Sequence, residues 1–111
     1  MAEEMQQLKE KNPDLDIFGF SWTEFEVLDY FAKRGQVDSE VAHTELVGQL
    51  DAGPKRVMDT IAYLCGHGFV RKVVFNEATN VSIYSISDMG MVAHARAAEH
   101  LQNKLNSAVN H

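Results

Sequence analysis

Lys55, Arg56, Asp59, Thr60 and Tyr63 fall within nine residues of a segment with helical periodicity. At about 100° per residue they read as one face, with Val57, Ile61, Leu64 and Cys65 on the other. The polar set has the chemistry to read nucleic acid. Arginine can grip guanine with two hydrogen bonds, and lysine or threonine can hold a phosphate. Tyr63 adds a phosphate donor or a stacking face. Asp59 repels phosphate, so it either accepts from cytosine or orients Arg56. Arg71 and Lys72 follow at the base of a β-branched, aromatic run and supply further phosphate contacts. Adjacent strand residues point to opposite faces, so one of the two is expected to serve.

Charge supports this placement. The chain of 111 residues carries a net charge of −6. Residues 1–50 hold four basic and eleven acidic groups, residues 51–75 four basic and two acidic, and residues 76–111 two basic and three acidic. The middle segment alone welcomes an anion.

The elements that position these groups can be read from pattern. Residues 1–11 are polar and helix-prone, and Asn12-Pro13 stops them. Residues 14–20 are an apolar strap. Ser21-Trp22-Thr23-Glu24 is a capping box opening a helix that carries Trp22, Phe25, Leu28, Phe31 and Ala32 and stops at Gly35. Val37 to Val41 reads as strand or loop. A second helix covers about 43–51, with Leu46, Val47 and Leu50 on one side. Asp51-Ala52-Gly53 breaks it, and Pro54 suits the first turn of a third helix running to about Cys65. Two β-branched and aromatic runs, Phe69 to Phe75 and Val81 to Ser87, flank the turn Asn76-Glu77-Ala78-Thr79-Asn80 and form a hairpin. Asp88 is placed to cap a last helix. Its stripe of Met91, Val92, Ala95, Ala98, Leu101 and Leu105 favours a partner helix over the chain's own core.

Helix, helix, tight turn, helix, hairpin, helix is an α+β winged helix-turn-helix: a three-helix core, a β-hairpin wing and an additional C-terminal helix. The expected organisation is an N-terminal extension (1–13), a winged-helix DNA-binding domain (14–87) and a C-terminal dimerisation helix (88–111). In such a module the third helix enters the major groove and the hairpin reaches the flanking backbone.

Residues 21–92 resemble the winged-helix transcription regulators of the multiple-antibiotic-resistance (MarR-like) type. WTEFEVLDYFAKRG looks like that family's first core helix. TELVGQL followed by PKRVMDTIAYLCGHGFVRK looks like its helix-turn-helix and the start of its wing. YSISDMG looks like its strand-to-helix exit. The resemblance implies a homodimeric DNA-binding regulator, with DNA contacts on Lys55, Arg56, Asp59, Thr60, Tyr63, Arg71 and Lys72. This sequence departs from the family at the wing tip, where NEATN replaces an Asp-x-Arg signature with basic residues. The terminal segments are also short, about 12 residues before Pro13 and 20 or so after Asp88.

Other chemistry finds little support. No GxSxG, P-loop, HExxH or nucleophile with a neighbouring base occurs, and Glu24 and Glu26 do not share a helix face. No enzyme activity is expected. His43, His67, His94, His100 and His111 contain no i,i+4 pair, and one cysteine excludes an internal disulfide and a CxxC zinc site. No metal or cofactor is expected, and Cys65 reads as a buried, inert thiol. No apolar run approaches the ~20 residues of a membrane helix. Met1-Ala2-Glu3-Glu4 begins no charged-then-apolar leader, so a cytoplasmic protein is expected. An unknown small-molecule effector at a dimer cleft is compatible with this class, although no residue specifies one.

The first reading is thus a dimeric DNA-binding regulator, a repressor, with double-stranded DNA and a second copy as partners. The alternative is a winged-helix protein-interaction module that does not bind DNA, its acidic Glu24, Glu26, Asp29, Asp38, Glu40 and Glu45 facing a basic partner. A protein that mimics DNA charge is a distant third.

Overall fold

The computed structural model describes residues 2–34 and 40–109. Gly35 as a helix stop, Val37 and Asp38 at the head of the strand-or-loop segment, and His111 lie outside them, whereas Val41 at the end of that segment opens a strand. The elements are α1 (Ala2–Lys11), α2 (Trp22–Lys33), β1 (Val41–Ala42), α3 (His43–Gln49), α4 (Pro54–Gly66), β2 (Val70–Asn76), β3 (Val81–Ile86) and α5 (Asp88–Val109). The three strands form one antiparallel sheet in the order β1-β3-β2.

α2 is the hub. Ser21 accepts the Glu24 N–H and Glu24 accepts the Ser21 N–H, so both halves of the capping box are made. Trp22, Phe25, Val27, Leu28 and Phe31 are buried on it. The Trp22 indole donates to the Asn12 carbonyl at 2.7 Å, tying the end of α1 to the start of α2. Between them the strap turns back on itself through a two-residue reversal. Ile17 and Phe20 exchange backbone hydrogen bonds, and both side chains go into the core.

Gly53 precedes α4 with φ +94°, a conformation that costs glycine little. This lets Pro54 open the helix directly after the turn. Val57, Ile61 and Leu64 then face the core. Thr60 joins them, only 8% exposed. This corrects its placement on the polar face. At about 100° per residue Thr60 sits about 60° from Val57, on the core side. Its hydroxyl donates to the Arg56 carbonyl of its own helix at 2.7 Å.

The hairpin is a true wing. β2 pairs with β3 from Val70↔Ile86 to Asn76↔Val81, with a register shift between Lys72 and Val74. β1 adds Val41↔Tyr84 and Ala42↔Ile83 on the other edge. The Ser82 N–H donates to His43 Nδ1 at 3.2 Å, so a side chain continues the pairing where β1 ends.

α5 begins one residue earlier in its capping than expected. Ser87, not Asp88, is the cap: its Oγ accepts the Gly90 N–H at 3.0 Å and donates to the Gly68 carbonyl at 2.6 Å. The helix then lies along α2 and touches α1. Its core face is Ala93, Ala97, Leu101 and Leu105, all buried. This corrects the partner-helix stripe. The six residues assigned to it spread over about half the helix circumference, wider than one seam, so part of the set must serve the chain itself. Leu101 and Leu105 do so. Met91 and Ala98 are half-buried, and Val92 and Ala95 are exposed.

Candidate nucleic-acid interface

α4 presents an exposed face made of Lys55, Arg56, Asp59, Ala62 and Tyr63. Lys55 and Asp59 neutralise each other through a 2.9 Å ion pair on the surface. Arg56 has no ion-pair partner among the described residues, so it is the cation this face offers. It lines a cleft of about 270 Å³ together with Asp14, Asp16, Phe20 and Trp22 of the strap region. Two carboxylates therefore flank the first turn of α4 beside its free cation. Spacing along the sequence gave no signal of that, because the strap returns to α4 only through tertiary packing.

Tyr63 is 44% exposed, and its ring packs on His67 with centroids 4.3 Å apart. His67 packs in turn on Phe69 at 6.4 Å, and Phe69 meets Phe20 edge-on at 5.2 Å. An aromatic series thus runs from the exposed face of α4 to the strap. The exposed His67 escaped the sequence reading, which ended the helix at Cys65. The signal was available: Arg56, Tyr63 and His67 are spaced by seven and four residues, within about 40° of one another.

On the wing, Arg71 and Lys72 are both exposed but differently engaged. Lys72 lies over the Phe75 and Tyr84 rings at 5.9 and 6.0 Å. Arg71 lines a cleft with Ser87, Asp88 and Met89 at the start of α5. Neither has an ion pair among the described residues. The wing tip is closed by Asn76, whose Oδ1 accepts the Ala78 and Thr79 N–H groups. Glu77 is its charged residue. Val73, Val74 and Phe75 are all more than 40% exposed on β2. The stretch of wing beyond Lys72 therefore carries no cation, only the acid Glu77, and is poorly suited to phosphate.

Away from this face, Asp29 and His94 join α2 to α5 at 2.9 Å, with Lys33 also on Asp29 at 2.8 Å. Burial alone would raise the Asp29 carboxyl, but the hydrogen bonds to His94 and Lys33 outweigh it and leave it below the usual 3.8. Burial pushes the Cys65 thiol up, only partly offset by Lys72, which leaves it a poor nucleophile. Among the described residues no three His, Cys, Asp or Glu side chains gather to hold a metal. No helix there is long and apolar enough to cross a membrane.

No protein-family profile matches the chain, and no curated protein sequence does. Solved structures do. One described as a MarR-like transcription regulator from Bacillus cereus superposes with a TM-score of 0.74 at 17% identity, covering 98% of this chain and 77% of that one. This chain has the MarR fold. A transcriptional regulator homologue from Pyrococcus horikoshii gives 0.67 at 17% identity, covering 96% of this chain and 97% of that one. A MarR variant from Escherichia coli complexed with operator DNA gives 0.70 at 14% identity, covering 96% and 75%. The MarR fold thus spans α1 to α5 and not the helix-turn-helix alone.

Proposed function

We propose that this chain is a sequence-specific DNA-binding transcriptional regulator, a repressor, acting as a homodimer. α4 lies in the major groove with Arg56 on a base edge and Tyr63 on a phosphate or base. Arg71 and Lys72 touch the flanking backbone, and residues 14–87 form the reading unit. The observation that carries this reading is the unpaired, exposed Arg56 on a helix face free of core packing, in a fold shared with a regulator held on operator DNA. The face left for a second copy is the outer side of α5, where Val92 and Met89 are 53% and 55% exposed, beside Phe18 at 49%. A small-molecule effector would find space in the cavity of about 480 Å³ between α1, α2 and α5. No enzyme activity belongs to this reading, and its place is the cytoplasm.

Selection of random duplexes by the purified protein at low salt tests the proposal. Enrichment of a site with two related half-sites about one helical turn apart supports it. Retention of no duplex overturns it. The second reading, a protein-interaction module, then takes its place. It draws on the exposed Val73, Val74 and Phe75 of β2 and the cation-free wing tip.

A further inference from the structure

We propose that His67 is an additional DNA contact, an imidazole that grips a backbone phosphate when protonated and releases it when neutral. The inference rests on the DNA-binding reading of α4 and extends its contact face past the end of the helix. His67 is the C-cap residue of α4, and its N–H donates to the Tyr63 carbonyl at 3.1 Å, so its Cα lies on the helical path. Eleven residues separate it from Arg56, which places it about 20° around and about 16 Å along the helix from that residue. Arg56, Tyr63 and His67 therefore form one file, long enough to span about five base pairs of groove.

The ring is held for this role. Tyr63 packs on one side at 4.3 Å and Phe69 lies near-parallel at 6.4 Å. Both rings flank the imidazole, and the residue stays exposed. Among the described residues neither ring nitrogen has a hydrogen-bond partner. Tyr63 from α4 and Phe69 from the link into β2 are the rings beside it, and neither brings a charge at neutral pH. Two of the other described histidines are held away from α4: His43 accepts from Ser82, and His94 pairs with Asp29. His100 lies on α5, in a cleft with Glu99.

The test is fluorescence anisotropy of a labelled random-sequence duplex at low salt, at about pH 5.5 and pH 7.5, bracketing the ordinary imidazole range. Wild-type protein should bind about fivefold more tightly at the lower pH than its His67→Gln variant, and equally at the higher. At the lower pH the variant's salt slope should fall by about 0.9 per bound chain. His67→Lys, charged throughout, should bind at the higher pH as wild type does at the lower. If His67→Gln keeps the full pH gain and slope, the proposal is wrong while the DNA reading stands. If wild-type protein binds no duplex at either pH, both fall together.

Discussion

Leu101→Ala separates the two uses the C-terminal stripe could have. Leu101 is 0% exposed on the face of α5 turned toward α2 and α1. Deleting its isobutyl group removes a fully buried side chain, a change that costs about 2–5 kcal/mol. The cavity of about 480 Å³ lined by its helix neighbours Ala98, Gln102 and Leu105 leaves room for the site to relax, which favours the middle of that range, about 3 kcal/mol. With about 2.1 cal/mol/K of unfolding entropy per residue over 111 residues, that loss lowers Tm by about 13 °C. Thermal and urea melts at two protein concentrations tenfold apart provide the assay. A core residue gives the same loss at both, and Lys104→Ala, exposed on the same helix, should stay within about 0.5 kcal/mol. A Leu101→Ala loss under about 1 kcal/mol, or one present only at the lower concentration, would show that the stripe is an interchain seam and the packing argument is wrong.

Gly90→Ala should destabilise by about 3 kcal/mol or more, because a Cβ there would sit 2.1 Å from the Phe69 carbonyl oxygen and 2.7 Å from Ile86 Cγ1; a chemical melt matching wild type would refute the close approach. Asp29 has a folded pKa below its ordinary 3.8, so its stabilisation is full above that value and is lost as pH falls through the lowered one. The urea midpoint of wild type should therefore exceed that of Asp29→Asn at neutral pH and converge with it in strong acid. A gap that widens on acidification would reverse the sign. Replacing Asp14 and Asp16 together by Asn should raise duplex affinity about two- to fivefold at low salt and hardly at all at high salt, through the cleft they share with Arg56. An unchanged or weaker affinity would mean the strap carboxylates do not oppose phosphate there.

Much of the fold was legible because local chemistry and global packing agree. The capping box at Ser21, Pro54 at the head of α4 and the period change after Gly68 each name an element without help from the rest of the chain. What escaped depends on geometry that a linear pattern hides. Thr60 sits near the boundary of the helix face, and the hydroxyl satisfies itself on its own backbone. Leu101 and Leu105 are apolar at helical spacing whether they meet a partner or the chain's own α2. Ser87 took the capping role from Asp88 because its hydroxyl also reaches the Gly68 carbonyl, a bond set by the hairpin's closure. Of the site, Lys55, Arg56, Asp59 and Tyr63 were read onto the exposed face and are there. The Lys55–Asp59 pairing follows from their i,i+4 spacing. The strap's approach to Arg56 needed the tertiary fold.

The central claim is that the exposed face of α4 reads duplex DNA. It is tested most directly by titrating a selected duplex against salt with wild type and Arg56→Ala. With Lys55 neutralised by Asp59, the proposed dimer would offer six cations, from Arg56, Arg71 and Lys72, that have no ion pair among the described residues. The slope of log K against log salt should therefore be no steeper than about −5. Arg56→Ala should weaken binding by about 1–3 kcal/mol and relax preference at one base position in each half-site. A variant that binds the same duplex with unchanged affinity and preference would contradict the account.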